Sequence, residues 1–204
     1  MNMNRNDLHL FFDTETSGFI NKAKSFDDPT QNWCCQLGAI LSTKDEILGE
    51  LNVIIKANGR SMPQFLVDTC HGISAERADR EGVEEYQALE EFALLLVDMP
   101  MKVCHNYNFD SEFLDHLFKR NLDNLTDIAR SKYFLEYPHF CTMNNKEITT
   151  FCNLKNKKGA PKKPKLEELY EILFHEPMLH VHDAMADTRA TRRCFYELQR
   201  LGVI

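Results

Sequence analysis

Two carboxylates two residues apart close an apolar run near the start of the chain, Leu8-His9-Leu10-Phe11-Phe12-Asp13-Thr14-Glu15-Thr16-Ser17-Gly18. On a strand, side chains at i and i+2 share a face, so Asp13 and Glu15 point the same way, roughly 6.6 Å apart along the backbone. Paired carboxylates at the end of a buried strand repel each other and resist losing water. A hard divalent cation between them resolves that conflict, and carboxylate oxygens suit Mg²⁺ or Mn²⁺. Alone, Asp-x-Glu fits an acidic turn after a core strand equally well. Two more acids tip the balance. Asp110 precedes Phe113, Leu114, Leu117 and Phe118 at helical spacing, and Asp187 precedes Ala190, Thr191, Cys194 and Leu198 in the same way. Each acid falls on the apolar face of a helix, where a charge is costly unless paired or bound to metal. His182 stands just ahead of the last acid, and an imidazole is the side chain that titrates near neutrality.

Periodicity and turn residues give the elements that must hold these side chains. A polar stretch over 19–31 reads as a surface loop, and apolar runs over 33–41 and 47–55 form a hairpin around Thr43-Lys44-Asp45-Glu46. His71-Gly72-Ile73-Ser74 is a turn that ends on a helix-capping serine. Tyr86, Leu89, Ala93, Leu96 and Val97 mark an amphipathic helix over 83–97, stopped by Pro100. A short strand over 101–104 feeds the helix of Asp110. Beyond it come a helix over 123–137, a short strand over 140–143 and a short helix over 146–153. A last pair of helices covers 165–174 and, from an Asp183 cap, the stretch to about Leu201.

With 204 residues, 43% hydrophobic and 27% charged, the chain reads as one globular domain over 1–204, its core about 8–201. No apolar span is long enough for a membrane helix and the first residues are too polar for a secretion signal, so a cytoplasmic location is expected. Seven cysteines without a Cys-x-x-Cys pair predict buried free thiols. A net charge of −7 argues against a general nucleic-acid coat protein but leaves room for a nucleic-acid enzyme whose acids hold metal. The run over 154–165 is the one strongly basic segment. Its Lys157, Lys158, Lys162 and Lys163 are candidate phosphate guides.

Three segments, Phe12-Asp13-Thr14-Glu15-Thr16-Ser17-Gly18, His105-Asn106-x-x-Phe109-Asp110 and His182-x-Ala184-x-x-Asp187, resemble in order the three motifs of the DEDDh 3′→5′ exonucleases. Gln36-Leu37-Gly38, His71-Gly72-Ile73, Cys141-Thr142-Met143 and Pro164-Lys165-Leu166-x-x-Leu169-Tyr170 are also similar to family sequences. The resemblance implies a ribonuclease H-like α/β fold, a mixed central sheet flanked by helices. It implies two Mg²⁺ or Mn²⁺ ions held by Asp13, Glu15, Asp110 and Asp187, with His182 as general base. Asp183 stands where the tyrosine variants of the superfamily would carry their tyrosine, so the histidine class is preferred. Thr14, Thr16, His105, Asn106 and Phe109 fall within the motifs and are expected against substrate. Phe19, Phe26, Trp33 and Tyr107 join Phe109 as candidates to stack on bases. The expected substrate is single-stranded nucleic acid, DNA before RNA, cut from the 3′ end. An exoribonuclease and a non-catalytic nucleic-acid-binding module are the alternatives. The family's proofreading subunits carry a polymerase-binding tail after the last helix, and this sequence stops there, so no stable polymerase complex is expected.

Overall fold

Strand β1 (His9–Thr16) runs through the middle of a five-stranded sheet because its residues are apolar on both faces. The computed structural model describes residues 7–133 and 136–204. Leu10 and Phe12 point to one side, where Phe92 and Phe113 pack, and Phe11 points to the other, against Phe195 and Tyr196. β2 (Cys34–Ser42) is buried along its whole length and pairs antiparallel with β1 and with β3 (Ile47–Ile54). β4 (Met101–Cys104) pairs parallel with β1, and β5 (His139–Cys141) parallel with β4. The sheet is therefore mixed, in the order β3-β2-β1-β4-β5. The opening hairpin and the central place of the acid-bearing strand are as expected from the sequence.

Helices α3 (Glu85–Leu95), α4 (Tyr107–Asn121) and α5 (Asp127–Tyr133) cover one face. α8 (Ala184–Arg200) covers the other and is backed by α6 (Lys146–Cys152) and α7 (Leu166–Phe174). α1 (Gln64–Thr69) and α2 (Ala75–Glu81) fill the connection after β3. Ser74 caps α2 as expected, its Oγ accepting from the Arg77 N–H at 3.1 Å.

Three elements differ from expectation. α3 is shorter than 83–97: the Gln87 side chain accepts from the Glu84 N–H at 3.0 Å and starts the helix there. Val97 falls beyond its end and is exposed, as is Tyr86 within its first turn. The helix expected over 123–137 is confined to α5. Its start is fixed at Thr126, whose hydroxyl accepts from the Ala129 N–H and whose backbone is held by Glu90. The expected range also takes in positions 134 and 135, outside the described residues. α1 was not foreseen, because none of its residues is buried and no apolar periodicity marks it. The seven cysteines are free, as expected.

One backbone approach sets the position of α8. Gly38, the register partner of Asp13, lies under the first turn of that helix. A Cβ at Gly38 would come within 2.6 Å of the Ala184 backbone. Gln36 beside it accepts from the Ala184 N–H at 3.2 Å and donates to Asp183 at 3.1 Å, and Thr188 Oγ1 donates to the Gly38 carbonyl at 3.2 Å. Gln36-Leu37-Gly38 is thus a docking seat for the N-terminus of α8. Gly38→Ala is expected to push α8 off the sheet, costing about 1–3 kcal/mol as overpacking does, read as a lower denaturation midpoint with unchanged slope. An unchanged midpoint would show that α8 tolerates displacement.

Candidate active site

The C-terminal end of β1 opens into a cleft of about 560 Å³ lined by residues from β1, α4, α8 and the connections around them. Asp13 and Glu15 reach it from the strand, Asp110 from the first turn of α4 and Asp187 from the first turn of α8. The four expected acids do converge. Oxygens of Asp13, Glu15 and Asp187 lie within 4.8 Å of one another, and Asp13 lies equally close to Asp110 and the Cys104 thiol. Asp13 is common to both groups.

Asp110 is fixed by its neighbours. Its Oδ1 accepts from the Thr14 N–H at 3.0 Å and the Thr14 hydroxyl at 2.7 Å, and its Oδ2 from Cys104 Sγ at 3.1 Å. The Thr14 hydroxyl thus orients a carboxylate, and Thr14, expected against substrate, also lines the cleft. Asn106 has a backbone role as well: with φ 74 and ψ 45 it takes the left-handed turn from β4 into α4, a conformation that asparagine tolerates. His105 lines the cleft with its Nδ1 against Thr142 Oγ1 at 2.9 Å, and burial holds its imidazole down to about 4. Thr16 donates its hydroxyl to the Gly18 carbonyl at 3.0 Å. His182 is exposed at the cleft, held at φ 68, and its ring approaches Glu15 and Cys70 within 4.8 Å.

The stacking candidates divide. Phe19, 79% exposed, meets Phe109 edge to face at 5.5 Å, and both line the cleft. Trp33 is buried with Arg60 over its ring, and its Nε1 donates to the Ser61 carbonyl. Tyr107 is buried and stacked on His139, and Phe26 packs against His116. These three aromatics are packing residues.

None of the four candidate lysines lines the cleft. Lys157 and Lys158 are exposed in a loop closed by the Lys155–Pro161 bridge, Lys162 pairs with Glu168, and Lys163 donates to Asn144. Lys165, at the end of the same run, does line it. Sequence reasoning also missed Leu66, Cys70, His71 and Glu167, all at the cleft wall. The His71-Gly72-Ile73 likeness could have flagged His71. Glu167 reads as an ordinary acid in the first turn of a helix.

Burial and mutual repulsion push the carboxyl groups upward. Burial moves Asp110 to about 6, against the bonds from Thr14 and Cys104. Burial and the neighbouring carboxylates Asp187, Asp110 and Asp183 move Glu15 to about 8. Burial moves Asp187 to about 7, tempered by a hydrogen bond from the His182 backbone. Asp13 is raised well above the carboxylate range by burial first, then by Asp110, Asp187 and Glu15. Oδ1 of Asp187 is buried with no hydrogen-bond partner among the described residues. Hard oxygen donors, excess negative charge and an orphaned carboxylate oxygen together fit divalent cations.

A model of the RNase_T exonuclease family matches residues 10–195, nearly the whole chain. The chain belongs to the DEDD-type 3′→5′ exonuclease family. No curated protein matches it. Among solved structures this family member is similar to Escherichia coli exonuclease I in complex with a dT13 oligonucleotide, at 20% identity and a TM-score of 0.70, covering 96% of this chain and 42% of that one. A product-bound exonuclease I has 20% identity and a TM-score of 0.71, with 95% and 43% covered. Exonuclease I from Methylocaldum szegediense has 19% identity and a TM-score of 0.67, with 95% and 40% covered. At such identities the likeness establishes the fold, the ribonuclease H-like exonuclease fold. The chain spans about two fifths of the length of these proteins.

The raised carboxyl groups give a pH signature. A group whose folded pKa is raised stabilises the fold below its unfolded pKa, about 4 for a carboxyl, and that stability is lost as pH rises through the folded value. Metal-free protein should therefore lose stability progressively from about pH 4 through the values near 6, 7 and 8 of Asp110, Asp187 and Glu15. A loss of about 2 kcal/mol lowers Tm by roughly 4–8 °C at this chain length. Excess Mg²⁺ or Mn²⁺ should flatten the decline. Melting curves in EDTA that do not fall with pH would contradict this reading of the cluster.

Proposed function

We propose that the chain is a metal-dependent 3′→5′ exonuclease that releases mononucleotides from single-stranded DNA 3′ ends. The observation that carries this reading is the shared position of Asp13 between two donor groups, one with Glu15 and Asp187 and one with Asp110. That arrangement supports two Mg²⁺ or Mn²⁺ ions held by these four residues. When bound, such ions supply charge to the entering and leaving oxygens of an in-line phosphodiester displacement. The oligonucleotides in exonuclease I complexes are dT13 and dA16, which favours DNA as substrate class. The seven free thiols support a reducing, cytoplasmic setting for a single catalytic domain.

His182 is assigned to proton removal from the attacking water. Its exposed ring beside Glu15 supports that role, since a base must reach both solvent and the reacting phosphate. Thr14 and Cys104 hold Asp110 in one orientation, as partners behind a ligand do. Phe19 and Phe109 form an aromatic edge on which the terminal base stacks, and Lys165, paired with Glu167 at 3.1 Å in the cleft lining, meets a phosphate. The lysines over 157–163 contact only strand that lies outside the cleft.

Purified protein incubated with end-labelled DNA and RNA of matched sequence should yield mononucleotides from the DNA 3′ end with Mg²⁺ or Mn²⁺ and none in EDTA. Cutting of a closed circular single strand would overturn exonuclease action, and preferential loss of RNA would reassign the substrate.

His182→Ala should lower turnover by roughly 10²–10⁴-fold, the usual contribution of a general base, while calorimetric metal binding persists. Asp13→Ala should lose both. If His182→Ala abolishes metal binding as fully as Asp13→Ala, the imidazole is a ligand and not the base.

A further inference from the structure

A second cavity, of about 240 Å³, lies on the far side of α4 from the cleft. Its walls are aromatic: Phe12 and Phe92 behind, Phe118 on α4, and Tyr107 and Tyr137 flanking the side chain of Lys102. Lys102 is on β4, paired with Leu10, and points to the same core face of the sheet as its neighbour-but-one Cys104. Its ammonium lies 5.5 Å from the ring centres of both tyrosines. Among the described residues no acid pairs with it, and burial alone lowers its pKa. The one carboxylate among the described residues of the wall, Asp115, has both oxygens engaged, by Lys119 at 2.6 Å and by the Tyr133 hydroxyl at 3.0 Å. Lys132 adds a second cation to the lining.

A strand position between apolar neighbours would be filled at less cost by an apolar residue, because a half-buried ammonium gives up part of its hydration and two ring faces offset only some of that. A cation held without a counter-charge at the wall of an aromatic cavity is a binding group for an anion with an apolar body. Size narrows the class. An apolar cavity of roughly 150 Å³ takes a benzene ring, so this one has room for a ring and a short acidic arm but not for a base, sugar and phosphate together. We propose that this cavity is a binding site for a small aryl carboxylate, its carboxylate on Lys102 and its ring among Phe12, Phe92 and Phe118. The site is independent of the nuclease reading. It shares two elements with the cleft: β1, which gives Phe12 to the cavity and Asp13 to the cleft, and α4, which presents Asp110 on one side and Tyr107 and Phe118 on the other.

The test is calorimetric titration of the full chain with 3-phenylpropionate, with neutral 3-phenylpropan-1-ol and with inorganic phosphate. Saturable one-to-one binding of 3-phenylpropionate is expected, weakened tenfold or more by Lys102→Met, which keeps length and apolar volume, and left unchanged by Lys165→Ala in the cleft. The alcohol should bind wild type and Lys102→Met alike. On wild-type protein, nuclear Overhauser contacts from the bound phenyl ring to Phe12, Phe92 and Phe118 give a readout that does not depend on a variant folding. Absence of saturable binding, equal affinity in Lys102→Met, loss of binding in Lys165→Ala, phosphate binding as tight as 3-phenylpropionate, or saturation without those contacts would each overturn the proposal.

Discussion

Four carboxyl groups that repel one another are held at the end of a single strand, and much of the architecture serves to keep them there. Left to electrostatics, Asp13, Glu15, Asp110 and Asp187 would separate or protonate: burial raises all four, and neighbouring carboxylates add to it at Asp13, Glu15 and Asp187. The scaffold answers with rigid anchors. β1 is paired with β4 as far as Phe11 and with β2 through Asp13 and Glu15, which holds its two acids in register. Asp110 is tied to Thr14 on that strand, which locks α4 to β1 at the point of greatest repulsion. α8 is drawn down onto Gly38 until Asp187 stands opposite Asp13. A cation completes such a site by supplying what the protein omits.

The same constraint explains which parts of the site were legible in the sequence. The acids were readable because a charge on the apolar face of a helix, or at the end of a doubly buried strand, has no solvated excuse. Their convergence was readable only through motif order, since Asp13 and Asp187 lie at opposite ends of the chain. The roles of Thr14 and Asn106 were not readable. Both fall inside motifs, yet one orients a carboxylate and the other takes a left-handed turn, and neither fact leaves a periodic trace. Aromatic residues misled in the opposite direction: Trp33 and Tyr107 look suited to stacking on bases, but the core claims them.

Charge runs proved the weakest guide. The basic segment over 154–165 stood out by composition, but Lys157 and Lys158 are exposed away from the cleft, Lys162 and Lys163 answer Glu168 and Asn144, and Lys165, paired with Glu167, is the lysine of the run that lines the cleft. The helix boundaries of α3 and α5 were set by single side-chain bonds to backbone, at Gln87 and Thr126. Hydrophobic spacing is blind to such bonds. The unanticipated α1 is the limiting case, with no buried residue to give it a pattern although its Leu66 lines the cleft.

The placement of Asp187 on α8 has a consequence for the chain as it is made. Translation delivers β1 and its two acids first, then Asp110 midway, and the seat at Gly38 remains vacant until the last described helix emerges. Until then the acids of β1 have no α8 to face and the sheet surface around Phe11 and Ile40 lies bare. Completion of the acidic cluster and covering of that surface are one event. A ribosome-bound fragment ending before α8 therefore leaves apolar strand surface bare while lacking Asp187, the last acid of the cluster.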